Sequence, residues 1–241
     1  MKVVIATPFY EVKAYSPYVV SLIQSISALV KLGIEWEYYE VSGDSYVDRA
    51  KNSLVHRFLE GDATHLLMVD SDMYWDINGF MRMIRAAIEG FEIVAAAYPC
   101  KNNWDFFGCH PKFDPETKFL LGKEVNGIRV LDMDVVPGGF ILYSREAFER
   151  ARPNLRTYYD PKNDITILEA FRCNVENDIR IGEDVYFQQR YKEAGGIVWL
   201  EPDITIRHIG VRAWEGNYNH YLLTGEMSTE VDPRTFQGGN K

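Results

Sequence analysis

Short strand-like runs alternate with longer amphipathic stretches over the first hundred residues of the chain. Within the amphipathic stretches, apolar side chains recur every three or four residues, which predicts helices beginning near Ser16, Asp44 and Asp76. The runs rich in branched or aromatic residues predict buried strands. These predicted strands are residues 2–6, 35–41, 64–69 and 93–98. The alternation of strand and helix predicts a parallel sheet whose strands are joined by right-handed crossovers.

Beyond residue 100 the pattern is less regular. Asn126-Gly127 is flanked by strand-like residues and predicts a hairpin. Gly138 and Gly139 interrupt the apolar run of residues 135–143. The further predicted elements are helices at 145–151 and 182–194, strands at 197–200 and 204–208, an exposed insertion at 152–180, and a tail or flap at 212–241.

Composition and charge limit the classes of function that this chain can have. The chain has 241 residues, of which 46% are hydrophobic and 25% charged, as in an ordinary globular domain. A net charge of −9 argues against a general polyanion binder, since nonspecific nucleic-acid binding depends on Lys and Arg. The three cysteines have no metal-ligand spacing and fit a reducing compartment. The apolar stretches are too short to cross a bilayer and no charged leader is present, so we expect a cytoplasmic protein without a transmembrane segment.

Asp70-Ser71-Asp72 is the most informative motif, because it directly follows the apolar run of residues 64–69. Two carboxylates there lie where a buried strand emerges into solvent, the edge at which open α/β sheets bind ligands. Carboxylate oxygens suit a hard divalent cation that is shared with substrate phosphates. The alternative is that both aspartates cap the next helix. The triplet alone leaves both interpretations open.

A second acidic pair, Glu183 and Asp184, opens a predicted helix. The helix dipole favours acidic residues at that position, which is a sufficient structural explanation. A carboxylate there could also act as the general base that deprotonates an acceptor hydroxyl. His208 closes a short predicted strand and is either structural or a ligand for a transition metal such as manganese.

Arg49, Lys51 and Asn52 lie near the start of a predicted helix. They form either a solvated helical face or a group that contacts phosphate or a base edge.

Taken in chain order, these motifs resemble those of the GT-A family of nucleotide-sugar glycosyltransferases. The matching features are Ala6-Thr7-Pro8 after the first strand, Arg49-Ala50-Lys51-Asn52 in a helix, the strand ending at Asp70-Ser71-Asp72, Tyr98-Pro99, Pro137-Gly138-Gly139-Phe140, Gly182-Glu183-Asp184 and the later His208. The resemblance covers residues 2–210. It implies a single GT-A, Rossmann-like α/β domain at 1–211, with a mostly parallel central sheet flanked by helices and a small hairpin or second sheet. The nucleotide-binding half would span about residues 1–100 and the acceptor half about 101–211.

The resemblance also implies residue roles. Asp72 and His208 would bind a divalent metal, Mn²⁺ or Mg²⁺. Asp70 would reach the donor ribose or the metal through water. Asp184 would be the catalytic base of an inverting transfer, with Glu183 beside it on the acceptor side. The residues implied to bind the donor are Thr7, Pro8, Tyr10, Asp44, Arg49, Asn52, Asp70, Ser71, Gly138 and Gly139. The family often has a second arginine where this chain has Lys51, so a bidentate contact is not implied there.

The implied activity is transfer of a hexosyl or pentosyl unit from a nucleotide-sugar, most simply a UDP-sugar, to a hydroxyl of a glycan, a protein or a modified nucleobase. Two alternatives remain. A nucleotidyltransferase that makes the nucleotide-sugar is disfavoured by the glycine-free loop at residues 7–13, and a non-catalytic nucleotide- or glycan-binding protein would not need all the acidic and histidine residues. Aromatic residues that could stack on a sugar or base, or equally belong to the core, are Trp104, Phe106, Phe107 and Trp214.

Overall fold

The computed structural model describes residues 1–101, 107–210, 213–226 and 229–231. Its helices are α1 (Ser16–Lys31), α2 (Val47–Glu60), α3 (Ile77–Ile88), α4 (Arg145–Ala151), α5 (Glu183–Glu193) and α6 (Tyr218–Thr224). Its strands are β1 (Lys2–Phe9), β2 (Glu35–Ser42), β3 (His65–Val69), β4 (Met73–Trp75), β5 (Ile93–Ala95), β6 (His110–Pro111), β7 (Gly122–Val125), β8 (Ile128–Val135), β9 (Phe140–Ser144), β10 (Arg156–Asp160), β11 (Ile165–Glu169), β12 (Asn174–Glu176), β13 (Ile179–Ile181), β14 (Val198–Leu200), β15 (Thr205–Ile209), β16 (Ala213–Asn217) and β17 (Thr229–Val231). No helix in these ranges combines the length and the apolar character needed to span a membrane.

A nine-stranded sheet forms the centre of the fold, in the order β2-β1-β3-β9-β5-β14-β8-β6, with β7 also paired to β8. β1 is parallel to β2 and β3, and β5 is parallel to β14. β9 runs antiparallel between β3 and β5, and β8 runs antiparallel to its neighbours. Most strands therefore point the same way, with β8 and β9 reversed, and the predicted mostly parallel sheet is confirmed.

Helices cover the central sheet on both faces. Val3 and Ile5 of β1 pack in a core layer with residues of α1 and α3. Val4 and Ala6 pack in the opposite layer, with residues of α2, α4 and α5. All four side chains are fully buried. Burial on both faces explains why this strand is almost continuously apolar.

A second sheet, with the strand order β17-β16-β15-β4, carries part of the candidate site. Strand β4 begins directly after Asp72 and pairs antiparallel with β15, so that Met73 lies opposite His208. The amide of Ile209 donates to the carbonyl of Asp72 at 2.8 Å. The sequence pattern did not predict β4, yet this strand pairing brings Asp72 next to His208.

Two local predictions are confirmed by hydrogen bonds and backbone angles. Asp76 caps α3, and its side chain accepts from the Gly79 amide at 2.6 Å. Asn126 and Gly127 form the hairpin turn between β7 and β8 with φ angles of 49° and 76°. Both lie in the left-handed region that these two residues adopt most readily.

The interpretation of residues 152–180 as an exposed insertion is partly wrong. The segment folds into two hairpins, β10–β11 and β12–β13, and carries side chains into the core. Ile167 and Phe171 are each 1% exposed, and the Phe171 ring packs against Phe187 of α5. Strands of three to five residues are too short to display a clear period, which is why the pattern missed them.

Part of the predicted tail at 212–241 belongs to the described fold. β16 pairs with β15, and β17 pairs with β16. Tyr218, at the start of α6, is 3% exposed. Residues 232–241 lie outside the described residues.

Candidate active site

Asp72 and His208 face each other at the edge of the second sheet. The Nε2 atom of His208 lies 3.7 Å from Oδ1 of Asp72, and the two side chains are 15% and 23% exposed. Asp72 lies in the turn between β3 and β4, and His208 lies in β15. A carboxylate oxygen and an imidazole nitrogen thus share one partly exposed position.

The backbone carbonyl of Pro99 fixes the ring of His208. The distance from Nδ1 to this carbonyl oxygen is 2.9 Å, so Nδ1 carries the donated proton and Nε2 presents its lone pair toward Asp72. Tyr98 packs edge-on against the same ring, with centroids 4.9 Å apart. Burial lowers the pKa of His208, although Asp72 opposes that effect. The neutral imidazole is the form that binds metal ions.

The carboxylate of Asp72 is incompletely paired. Its Oδ2 forms an ion pair with Nζ of Lys101, whereas Oδ1 is buried without a hydrogen-bond partner in the part of the chain that the structure describes. An unpaired buried carboxylate oxygen is costly, and a cation between Oδ1 and Nε2 of His208 would satisfy it. Across the described ranges, no three His, Cys, Asp or Glu side chains form a metal-binding group. A bound ion would therefore need further oxygen ligands from water or a substrate phosphate.

Asp184 lies in the first turn of α5, against the loop that contains Gly138. The Gly138 amide donates to Oδ2 of Asp184 at 2.9 Å, and the Val185 amide donates to Oδ1 at 2.8 Å. A Cβ atom at residue 138 would lie 2.7 Å from Cβ of Asp184, so the approach requires glycine. Burial raises the pKa of Asp184, and Lys51 opposes that rise. A raised pKa brings a carboxyl group closer to the range of an effective general base.

Gly139 connects the Asp70 turn to Tyr98. Its amide donates to the Tyr98 hydroxyl at 2.8 Å, and its carbonyl accepts from the Asp70 amide at 2.9 Å. A Cβ atom here would lie 2.5 Å from Cε of Met73. The two adjacent glycines therefore bring the acidic triplet and Asp184 to one edge of the sheet.

Asp70 precedes Ser71 and Asp72 and carries a carboxyl group whose pKa is raised. Its Oδ1 atom is buried and has no hydrogen-bond partner among the described residues. Burial is the main reason why the pKa of Asp70 rises to about 6, with Lys51 opposing and the nearby carboxylates adding to the rise. Asp70 therefore keeps its proton to a higher pH than an exposed aspartate does.

Lys51 lies in a cluster with Asp70, Glu183 and Asp184, which the sequence pattern did not predict. Its side chain is 3% exposed, and its Nζ atom lies 2.9 Å from Oε1 of Glu183. Burial alone would lower the pKa of Lys51, but the neighbouring carboxylates raise it above its usual value. The helical spacing does indicate that Lys51 is buried, because it shares the core-facing side of α2 with Leu54, Val55 and Phe58 at i+3, i+4 and i+7.

A cleft of about 430 Å³ opens beside Asp72. The residues that line it are Tyr10, Glu11, Lys13, Ala14, Tyr15, Ser71 and Asp72. Tyr10 is 73% exposed and Tyr15 is 43% exposed, so both rings are available to a ligand. The predicted donor-binding residues Tyr10 and Ser71 thus lie next to the candidate cation site.

Three other residues predicted to bind the donor are buried within the protein. Thr7 bonds through its hydroxyl to that of Tyr18 at 2.6 Å, and Pro8 lies inside β1. The side-chain amide of Asn52 exchanges two hydrogen bonds of 2.8 Å with the backbone of Phe171. None of the three lines the cleft, and their assignment to the donor stays a prediction.

Asp44 and Arg49 are paired with each other. Two hydrogen bonds of 2.7 Å join the guanidinium of Arg49 to the carboxylate of Asp44. Asp44 also accepts from the Tyr46 amide at 2.9 Å, which explains why α2 begins at Val47 rather than at Asp44. Their predicted contact with the nucleotide likewise stays a prediction.

Of the aromatic residues considered for acceptor stacking, Phe107 belongs to the core. It is 4% exposed, and its ring packs against Tyr218 with centroids 5.4 Å apart. Trp104 and Phe106 lie outside the described residues, as does the side chain of Trp214.

No protein-family model and no curated protein matches this chain. Solved structures do match it. A197 from STIV is similar over 100% of this chain and 98% of its own, with a TM-score of 0.57 and 19% identity. GalNAc-T7, crystallised with UDP, GalNAc and Mn²⁺, is similar over 87% of this chain, with a TM-score of 0.54 and 12% identity. This chain spans 44% of that GalNAc-T7 chain.

At sequence identities of 19% and 12%, the similarity to these two structures shows the fold alone. The mostly parallel central sheet, the helices on both faces and the small second sheet agree with the fold that the motif resemblance implies. The chain therefore has an α/β fold of the GT-A glycosyltransferase type.

Proposed function

We propose that this protein is a metal-dependent glycosyltransferase that moves a sugar from a nucleotide-sugar to the hydroxyl of an acceptor. The observation that carries the proposal is that two groups lie beside the loop of Gly138 and Gly139. One is the pair of Asp72, with its unpartnered oxygen, and His208. The other is Asp184, held by the Gly138 amide. A cation site beside a candidate base is the arrangement that transfer from a diphosphate donor needs.

Asp72 Oδ1 and His208 Nε2 would hold the cation, and Mn²⁺ suits this mixed oxygen and nitrogen donor set. When bound, the ion neutralises charge that develops on the diphosphate leaving group. The chain itself supplies orientation. The Pro99 carbonyl holds the His208 ring, and the pairing of β4 with β15 sets the separation of the two side chains.

Asp184 would act as the general base. The acceptor oxygen forms a bond to the anomeric carbon while the bond from that carbon to the diphosphate oxygen breaks. The hydroxyl proton passes to a carboxylate oxygen of Asp184, and the nucleoside diphosphate leaves. Two backbone amides hold this carboxylate in a fixed orientation. The scheme uses no protein nucleophile, so the single displacement inverts the anomeric configuration.

The donor nucleotide would occupy the cleft beside Asp72. Tyr10 and Tyr15 offer aromatic faces for a base, and Lys13 offers a positive charge for phosphate. The volume of about 430 Å³ lies in the range of small-molecule sites. UDP is the nucleotide proposed, because GalNAc-T7, which has a similar fold, was crystallised with UDP and Mn²⁺.

Donor turnover tests the proposal. The protein is incubated with UDP-sugars and Mn²⁺, and released UDP is measured with and without glycan and protein acceptors. We expect release that EDTA abolishes and excess Mn²⁺ restores. Asp184→Asn should lower kcat by about a hundredfold or more, the usual contribution of a general base, while UDP binding persists. Asp178→Asn changes an exposed turn residue and serves as the control.

A different outcome would favour the binding-protein alternative. In that outcome the protein binds UDP with Mn²⁺ but shows no metal-dependent release of UDP, GDP, CMP or TDP from the corresponding sugar nucleotides.

A further inference from the structure

Three carboxylates and one ammonium group lie together at the inner side of the candidate site. The Lys51 ammonium bonds to Glu183 at 2.9 Å, and the two side chains are 3% and 17% exposed. Lys51 also acts electrostatically on Asp70 and Asp184. Lysine is almost never so deeply buried unless it is paired. The transfer scheme above gives this lysine no part.

We propose that Lys51 is a positioning residue of the transfer site. It holds Glu183 and the first turn of α5 in place. Its positive charge is also the counter-charge that allows Asp184 to remain ionised among the neighbouring carboxylates. The inference rests on the proposed function, since it assigns Lys51 to that same site. Lys51 does not touch the substrate in this scheme and acts through Asp184.

The ion pair joins α2 to the first turn of α5. Glu183 directly precedes Asp184, so the contact fixes the helix start from which the candidate base projects. The next residue of α2, Asn52, holds the backbone of Phe171 through two hydrogen bonds of 2.8 Å. The Phe171 ring lies 5.7 Å from Nζ of Lys51. One turn of α2 thus anchors both α5 and the hairpin segment that precedes it.

The electrostatic part of the inference depends on what surrounds Asp184. The titratable groups that interact electrostatically with Asp184 are Lys51 of α2, Asp70 after β3, Tyr98 after β5, Tyr143 of β9 and Glu183 of α5. Burial and Glu183 both raise the pKa of Asp184, and Lys51 lowers it. Without that ammonium the neighbouring carboxylates would repel one another, and the pKa of Asp184 would rise further. A protonated Asp184 cannot accept the hydroxyl proton.

The competing explanation is that the ion pair is structural and only links two helices. Two variants separate the explanations. Glu183→Gln removes the partner's charge and leaves Lys51. The double variant Lys51→Met with Glu183→Gln removes both charges, so neither member of the pair is left charged and alone. Replacement of a buried ion pair by neutral residues is often tolerated, so we expect the double variant to fold. In Glu183→Gln the Lys51 ammonium still faces the carboxylates of Asp70 and Asp184, so we expect a less stable protein that also folds.

Comparison of these two variants isolates the Lys51 charge. We expect kcat of the double variant to be about tenfold or more below that of Glu183→Gln, because a proton-transfer role contributes on this scale. The Kd for UDP with Mn²⁺ should differ less than about threefold between them, because Lys51 lies outside the residues that line the cleft. Equal kcat values in the two variants would overturn the inference.

A readout that needs no turnover keeps this inference separate from the proposed function. The ¹³Cγ signal of Asp184, assigned by its loss in Asp184→Asn, is followed against pH in both variants. We expect its midpoint to lie about one pH unit or more higher in the double variant, the usual effect of losing a nearby opposite charge. An unchanged midpoint would refute the counter-charge role. A raised midpoint in a protein that turns over no donor would retain that role and reject the transferase.

Discussion

Nε2 of His208 lies 3.7 Å from Oδ1 of Asp72, although the two residues are far apart in the chain. The pairing of β4 with β15 sets this separation. The bond from Nδ1 to the Pro99 carbonyl keeps the ring from turning Nε2 away. The pair is thus one preformed part of a cation site whose remaining ligands must come from water or substrate.

His208→Ala should weaken Mn²⁺-dependent binding of UDP by at least about tenfold, since even changes behind a metal ligand commonly cost that much. Isothermal titration with and without Mn²⁺ measures the effect. His220→Ala is the control, because that histidine is 57% exposed and lies in α6. Equal Mn²⁺ dependence in wild type and His208→Ala would remove His208 from the site.

Lys101 should compete with the metal ion for Asp72. The ion pair is partly exposed, so its contribution is modest, about 0.5–1 kcal/mol. Lys101→Met should therefore raise the affinity for Mn²⁺ alone by about two- to fivefold, measured from free Mn²⁺ by electron paramagnetic resonance. Lys112→Met, which removes an ion pair with Asp132, is the control. Weaker Mn²⁺ binding in Lys101→Met would show that Lys101 supports the ion instead.

Gly138→Ala should displace Asp184, because the added Cβ would lie 2.7 Å from its Cβ atom. Overpacking of this kind costs about 1–3 kcal/mol of stability. We expect kcat to fall at least about tenfold while Mn²⁺-dependent UDP binding is retained. Gly61→Ala is the control, since its Cβ would meet its nearest atom at an ordinary 3.6 Å. An unchanged kcat in Gly138→Ala would argue against Asp184 as the base.

The stability of the protein should depend on pH through Asp70, whose pKa rises from an ordinary 3.8 to about 6. A carboxyl group with a raised pKa favours the folded state below its unfolded pKa and loses that contribution as pH rises through the folded value. Asp70→Asn should therefore be more stable than wild type at pH 8, by about 1–3 kcal/mol, and equal to it near pH 4.

Urea unfolding of wild type and Asp70→Asn at both pH values measures this difference, with Asp178→Asn as the exposed control. A loss of stability at pH 8 would mean that the charged form of Asp70 is favourable in the folded protein.

Local patterns were sufficient to predict much of the fold. The apolar run before Asp70 predicted β3, and Asp76 predicted the start of α3, because strand period and helix capping are encoded in neighbouring residues. The sequence also singled out the acidic triplet and Asp184, which both lie beside the loop of Gly138 and Gly139. The roles proposed for them in transfer stay predictions.

What the sequence did not reveal depends on contacts between distant segments. The strand β4 has three residues and forms by pairing with β15, so its own period is uninformative. Asn52 binds the backbone of Phe171, in a segment that was expected to be exposed, and no local pattern predicts that contact. Lys51 was recognisable as core-facing from helical spacing, but its partner Glu183 was not.

A thermal-unfolding titration tests the metal-dependent nucleotide site most directly. The melting temperature of EDTA-stripped protein is followed with UDP, with Mn²⁺, and with both, in wild type and Asp72→Ala. We expect joint addition to stabilise wild type by about 2–3 kcal/mol at a hundredfold excess over Kd, which is more than the sum of the separate effects. This synergy should vanish in Asp72→Ala. Stabilisation by UDP that is the same in EDTA, or that persists unchanged in Asp72→Ala, would contradict a nucleotide site built on Asp72 and a metal ion.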